Sequence, residues 1–88
     1  MAVYCISYDL KSDNYESLIE AIRAYGCWWH QSKSTWFIES SQETKEILEN
    51  LNSHLDSGDK IIVIQVCKNW WAAGHTDEEY QWMKGRNF

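Results

Sequence analysis

Hydrophobic residues in the first quarter of the chain change from a strand-like to a helix-like pattern. Residues 3–8, VYCISY, are rich in β-branched and aromatic side chains and predict a strand that stops at Asp9. Asp13 is a residue type that caps helices, and Gly26 stands where a left-handed residue typically ends one. Between them, apolar residues recur on one helical face at Tyr15, Leu18, Ile19, Ile22 and Tyr25. The pattern therefore predicts a strand followed by an amphipathic helix.

The middle of the chain predicts a hairpin, a second helix and a further strand. Residues 27–31 and 35–39 flank a short polar turn and are typical of a β-hairpin. Ser40 with Glu43 predicts a capping box at the start of the second helix. The apolar stripe of that helix consists of Ile47, Leu48, Leu51 and Leu55. Residues 60–66, KIIVIQV, are apolar at nearly every position, so both faces of this strand should be covered.

The end of the chain forms an aromatic tail on a single predicted domain, residues 1–88, whose core spans about 3–67. The tail, about 68–88, contains a short helix that Thr76 and Glu79 open as a capping box. Its tryptophans are Trp70, Trp71 and Trp82. We expect these side chains to pin the tail to the body or to a second subunit, with a ligand lid as the alternative.

The order of the elements predicts the fold. Strand, helix, strand, strand, helix, strand is the order of the ferredoxin-like fold, an α+β two-layer sandwich of βαββαβ type. The aromatic tail with its short helix would be an addition at the C-terminus. Right-handed crossovers then require an antiparallel sheet with the strand order four-one-three-two.

This strand order brings polar residues from distant parts of the sequence to one edge of the sheet. The end of the first strand, the hairpin turn, the start of the fourth strand and the start of the first helix all meet there. The residues collected are Asp9, Lys11, His30, Gln31, Lys33, Ser34, Thr35, Asp59 and Lys60. Carboxylates hold divalent cations through oxygen, whereas lysines, hydroxyl groups and the N–H groups of a helix start suit phosphate.

The candidate roles follow from these residue types. Asp9 and Asp59 are the candidate ligands of Mg²⁺ or Mn²⁺, and Asp9 and His30 are the candidate catalytic residues. The candidate phosphate and nucleotide contacts are Lys11, Lys33, Ser34, Thr35, Lys60 and Trp29. Each residue also has a structural interpretation, in which the aspartates form turns, His30 is hydrogen-bonded at the sheet edge and the lysines are solvated.

The tryptophans of the hairpin carry both a packing and a binding interpretation. Trp28 and Trp29 are adjacent in a strand, so they point to opposite faces and at most one lies in the helix-covered core. Trp36 opens the central strand and should be buried. The outward tryptophan can stack on a base or pack at an interface.

Composition and charge limit the class of partner. The formal net charge of −5 argues against a broad contact surface for duplex DNA but allows a small, locally basic site. Three cysteines without a CxxC pair or a signal-peptide pattern predict a reducing, cytoplasmic location. The longest apolar run, residues 61–64, is far too short to span a bilayer, so no membrane partner is predicted.

Three stretches resemble a known family: VYCISYDL, the hairpin with WWH and STWFI, and LDSGDKIIVIQV. They are similar to the small bacterial and phage proteins called SinR-like, which are related to the small CRISPR-associated endonuclease of the spacer-adaptation complex. The resemblance covers roughly residues 3–71. It implies a ferredoxin-like homodimer with facing sheets, in which Asp9 matches the proposed metal ligand. His30 and Ser34 stand where family members often carry Arg and Ser, and the tail replaces the family's fifth strand.

Three functions are compatible with these observations. The first is a homodimer that binds a small nucleotide or short nucleic acid and acts as a Mg²⁺- or Mn²⁺-dependent phosphodiesterase or nuclease. The second is a non-catalytic binder, or sponge, of a cyclic or other nucleotide signal in phage defence or counter-defence. The third is a module that only binds another protein.

Overall fold

A computed structural model describes residues 1–11 and 15–86, and within them the chain forms one four-stranded antiparallel sheet and three helices. In chain order the elements are β1 (Ala2–Asp9), α1 (Tyr15–Arg23), β2 (Trp28–Ser32), β3 (Thr35–Ser40), α2 (Thr44–Asn52), β4 (Lys60–Val66) and α3 (Asp77–Lys84). Every predicted element is present. The predicted cap Asp13 and its neighbour Asn14 lie outside the described residues. No helix in the described part of the chain is long and apolar enough to cross a bilayer.

The sheet has the order β2-β3-β1-β4, which is β4-β1-β3-β2 when read from the opposite edge. All neighbouring strands are antiparallel. In the register, Asp9 at the end of β1 stands opposite Lys60 at the start of β4. Ser7 stands opposite Thr35 at the start of β3. Strand β1, one of the two central strands, therefore brings the turn of the hairpin and the start of β4 to the same edge.

One face of the sheet, covered by α1 and α2, carries the hydrophobic core. Alternate residues of β1 and β3 point to this face, as the pleat of a strand requires. The main core residues are Tyr4, Ile6, Tyr8, Leu18, Ile22, Trp36, Ile38, Ile47 and Leu51. Trp36 is fully buried, as predicted, and its Nε1–H donates to the hydroxyl oxygen of Tyr8 over 3.1 Å. Each large apolar side chain buried here stabilises the fold by about 1.5–3 kcal/mol.

The starts of α2 and α3 differ in how well the sequence predicted them. Helix α2 begins after Glu43, not after Ser40, because Ser40 is the last residue of β3 and its Oγ accepts from Gln42 N–H. Glu43 and Glu46 form the capping box of α2, in which the Glu46 carboxylate accepts a hydrogen bond from the Glu43 N–H over 3.1 Å. The predicted capping box of α3 is confirmed, with Thr76 as the N-cap residue.

The other face of the sheet, called here the outer face, is only partly covered. The described part of the tail, residues 68–86, packs against β2 and β3 and approaches β4 only near Val66. Ile62 and Ile64 are consequently 54% and 52% exposed. The prediction that both faces of β4 are covered is therefore wrong for the single chain, because the tail reaches only half of the outer face.

The tail is fastened to the outer face by aromatic and polar contacts. Trp82 of α3 lies near Trp29, with ring centroids 6.1 Å apart, and Met83 beside it is buried. The guanidinium of Arg86 pairs with the Glu39 carboxylate at 3.2 Å and lies over the Trp82 ring. Trp82 therefore pins the tail to the body, as expected.

Candidate functional site

Asp9 lies between two cavities at the predicted edge of the sheet. The first has a volume of about 200 Å³ and is lined by Tyr8, Asp9, Leu10, Tyr15, Lys33 and Ser34. The second has a volume of about 220 Å³ and is lined by Ser7, Tyr8, Asp9, Lys60, Ile61 and Ile62. The structure thus brings three other predicted site residues close to Asp9: Lys33, Ser34 and Lys60. We call this group the Asp9 edge.

Asp59 holds two loops together near this edge. Its Oδ1 accepts from the backbone N–H of Lys11 over 2.8 Å, and its Oδ2 accepts from the backbone N–H of Asp56 over 2.9 Å. Because both carboxylate oxygens accept backbone hydrogen bonds, Asp59 has a structural role in joining the end of β1 to the loop before β4. Lys11 contributes its backbone here, and its aliphatic chain passes close to Gly58.

The described residues supply Asp9 but no larger set of metal ligands. No group of three or more His, Cys, Asp or Glu side chains that could hold a metal ion occurs within residues 1–11 and 15–86. Asp9 is exposed and faces Lys60 across the β1–β4 pair. A divalent cation here would have one carboxylate, so its other ligands would have to come from water or from a bound phosphate.

His30 lies on the helix-covered face of β2 and lines neither cavity. Its ring stacks on Trp36, and its Nε2 is 3.3 Å from the carbonyl oxygen of Lys33, to which Nε2–H donates. Asp9 follows the core residue Tyr8, so strand alternation places Asp9 on the opposite face from His30. Among the residues that the structure describes, neither His30 nor Thr35 lines a cavity beside Asp9.

Trp29 is separated from the Asp9 edge and faces the tail. Its ring stacks on Phe37 with centroids 5.3 Å apart and planes inclined by 21°. The adjacent Trp28 points to the helix-covered face, 5.3 Å from Trp36, so the predicted division of this pair is confirmed. The expectation that the outward tryptophan faces a ligand or a partner is incomplete, because the tail of the same chain also packs against Trp29.

A third cavity lies between Trp29 and the tail, and we call it the aromatic cavity. Its volume is about 240 Å³, and its aromatic walls are Trp29, Phe37, Trp70, Trp71, His75 and Tyr80. A wider groove of about 570 Å³ lies on the other side of Trp70 and Trp71, and is also lined by Lys68, Asp77, Tyr80 and Lys84. Trp71 borders both spaces and is 95% exposed, so it does not pin the tail.

Gln31 and His75 supply the polar part of the aromatic cavity. The Nδ1–H of His75 donates to Glu79 Oε2 over 2.9 Å, and the Gln31 amide then donates to His75 Nε2 over 3.3 Å. The hydrogen bond from His75 is the main cause that lowers the pKa of Glu79, followed by those from Thr76. Sequence reasoning missed His75, although its position just before the Thr76 capping box is a signal that its side chain can reach Glu79.

Comparisons with known proteins give no match for this chain, whether with family models, with curated proteins or with solved structures. The kinship with SinR-like proteins therefore stays a prediction.

Proposed function

We propose that this chain is a nucleotide-binding protein of the ferredoxin-like fold, and that it contacts the phosphate of its ligand at the Asp9 edge. The sheet order β4-β1-β3-β2, with α1 and α2 on one face, supports this finer description of the fold. A non-catalytic binder is the function that the geometry supports best.

The convergence of Lys33, Ser34 and Tyr15 around one cavity carries this proposal. A lysine ammonium and a serine hydroxyl both donate hydrogen bonds to phosphate oxygens. Tyr15 is 39% exposed and offers a ring on which a base can stack. Lys60, on the other side of Asp9, adds a second positive charge, so two lysines flank the single carboxylate of Asp9.

Asp9 is the feature that favours a second candidate, a Mg²⁺- or Mn²⁺-dependent phosphodiesterase. A carboxylate beside a phosphate site is repulsive unless a cation lies between them, and Mg²⁺ is commonly held by one or two carboxylates plus substrate phosphates. Asp9 fits such a bridging role. Asp59 fits it poorly because its oxygens accept the backbone hydrogen bonds described above, and His30 lies on the opposite face of the sheet.

Calorimetric titration with nucleoside monophosphates, cyclic dinucleotides and short single-stranded oligonucleotides tests the proposal. Lys33→Gln and Ser34→Ala should each weaken binding, whereas Lys45→Gln, which removes an exposed lysine of α2, should not. Chromatography of the ligand afterwards separates the two candidates. An intact ligand supports the binder, and hydrolysis that EDTA or Asp9→Ala abolishes supports the phosphodiesterase. Absence of saturable binding, or equal binding by all variants, would contradict both.

Self-association and cellular location are parts of the same proposal. The exposed Ile62 and Ile64 on the outer face support a homodimer that covers β4, because exposed apolar patches commonly mark interfaces. Light scattering should then give twice the chain mass, and Ile64→Lys should give the monomer.

The free cysteines Cys5, Cys27 and Cys67 support a cytoplasmic location. A role in phage defence or counter-defence stays a prediction.

A further inference from the structure

We propose that the aromatic cavity is a second ligand site, separate from the Asp9 edge, for a planar heteroaromatic ring that carries an anionic group. The ring would enter between Trp29 and Trp71, and the anionic group would lie in the adjoining groove beside Lys68 and Lys84. Nucleotides have this chemistry, whether they are free molecules or the end of a nucleic-acid strand.

Trp71 is the first observation that supports a ligand. The tail is already pinned by Trp82, Met83 and Arg86, so its attachment does not require Trp71. Trp71 nevertheless stands at the border of the cavity and the groove with 95% of its surface exposed. An indole in this position can cover a ring placed in the cavity, and stacking of this kind contributes about 1–3 kcal/mol per base.

The size and walls of the cavity favour a single ring system. A volume of about 240 Å³ lies below the roughly 300–1,000 Å³ that is usual for sites of drug-sized ligands. Trp29 and Phe37 form a stacked pair on the sheet, while His75 stands edge-on to Trp29 at 5.3 Å. Flat aromatic walls at these angles accept the face of one ring and the edge of another.

Gln31 and His75 favour a ring with nitrogen or oxygen atoms over a hydrocarbon. The side-chain amide of Gln31 donates one N–H to His75. The same amide also has a second N–H and a carbonyl oxygen. Because Gln31 lines the cavity, these groups can pair with the donors and acceptors at the edge of a heteroaromatic ring. A pure hydrocarbon ring could not form hydrogen bonds with these groups of Gln31.

The charges of the groove decide between an anionic and a cationic ligand. Aromatic cages can bind ammonium groups, but a nearby lysine would repel a cationic ligand. Here Lys68 and Lys84 line the groove together with a single carboxylate, that of Asp77. Glu79 is engaged by His75 and Thr76. The groove therefore has an excess of positive charge and favours an anionic group.

The test titrates the full chain with adenosine, AMP, UMP and a four-nucleotide single strand, using calorimetry and tryptophan fluorescence. Trp71→Ala should lower the affinity for AMP at least about fivefold. Replacing both Lys68 and Lys84 by Gln should lower the affinity for AMP about two- to fivefold and leave the affinity for adenosine unchanged.

The matched controls are Trp28→Phe, on the opposite face of β2, and Lys45→Gln. Equal affinity for AMP and the single strand indicates a free nucleotide, and tighter binding of the strand indicates a nucleic-acid end.

The outcomes separate this site from the Asp9 edge. Loss of affinity in Trp71→Ala but not in Lys33→Gln supports the second site whatever happens at the first. Loss in Lys33→Gln alone, with Trp71→Ala equal to the wild type, overturns the second site and leaves the proposed function intact. Absence of saturable binding of any probe overturns both. Because Trp71 is almost fully exposed, its replacement should leave the unfolding temperature unchanged, and a folded variant can be verified by circular dichroism.

Discussion

The imidazole of His30 lies flat on the indole of Trp36, with the ring centroids 3.9 Å apart and the planes inclined by only 6°. This pair fixes His30 on the helix-covered face, where its Nε2 also bonds to the Lys33 carbonyl. We therefore expect His30→Ala to reduce the free energy of unfolding by about 0.5–1.5 kcal/mol, the range of an aromatic pair. Nucleotide affinity at the Asp9 edge should stay within about twofold. A loss of hydrolysis without a loss of stability would instead restore His30 as a catalytic residue.

Removal of the Tyr8 hydroxyl should destabilise the core. Tyr8→Phe leaves the buried Nε1–H of Trp36 without the acceptor that it has now at 3.1 Å. The expected decrease in the free energy of unfolding is about 1–3 kcal/mol, measured by urea denaturation. Tyr25→Phe serves as the control, because its hydroxyl bonds to Gln42 and Asn50 at the surface. Equal effects of the two variants would contradict the structural assignment of Tyr8.

Asp9 and Asp59 should respond differently to replacement. Asp59→Ala removes the acceptor of two backbone N–H groups and should reduce the free energy of unfolding by about 1–3 kcal/mol, equally with Mg²⁺ and with EDTA. Asp9→Asn should change stability little and should remove any effect of Mg²⁺ on nucleotide affinity. Denaturation and titration, each done with and without Mg²⁺, check this. A Mg²⁺-dependent stability that Asp59→Ala alone abolishes would assign the metal to Asp59 after all.

The attachment of α3 should depend on pH through Glu79. Hydrogen bonds from His75 and Thr76 lower the pKa of this carboxyl in the folded chain. Its stabilising contribution is therefore complete above the ordinary carboxyl pKa, about 4.3, and is lost as the pH falls below it. The wild type should be more stable than Glu79→Gln at pH 6, and this difference should shrink between pH 5 and pH 3. A difference that is constant over that range would contradict the assignment.

The three thiols should react with iodoacetamide in an order set by exposure. Cys67 is exposed, whereas Cys5 is half-buried in β1 and burial raises the pKa of its thiol. Since the thiolate is the reactive form, Cys67 should be alkylated first and Cys5 last at pH 8. Mass spectrometry of peptides from a timed reaction measures the order. Faster labelling of Cys5 would show that the β1–β4 half of the outer face opens readily.

The hydrophobic pattern predicted the elements well because each one carries a local signal. The periodicity of α1, the run of residues 60–66 and the Thr76 capping box all depend on neighbours in sequence. The start of α2 was misplaced because Ser40 and Glu43 form a plausible box locally. The pairing of β3 with β1 instead holds Ser40 in the sheet, and a local pattern does not contain that information.

The site was predictable only as far as strand order determines position. That order correctly brought Lys33, Ser34 and Lys60 to Asp9. It did not resolve the face on which each side chain lies, so His30 and Trp29 were assigned to a site that neither one lines. The aromatic cavity could not be predicted, because it depends on where the tail crosses the outer face. That path is set by contacts between residues far apart in sequence, such as Glu39 with Arg86 and Gln31 with His75.

The fastening of the tail has an energetic consequence for any molecule that binds beneath it. The walls of the aromatic cavity come partly from the sheet and partly from the tail, so the cavity exists only while the tail is docked. Local opening of α3 and release of a ligand are then linked equilibria. Above the dissociation constant, each tenfold increase in the concentration of free ligand adds about 1.4 kcal/mol to the free energy of opening. Amide hydrogens of residues 77–84 would then exchange more slowly as the ligand concentration rises.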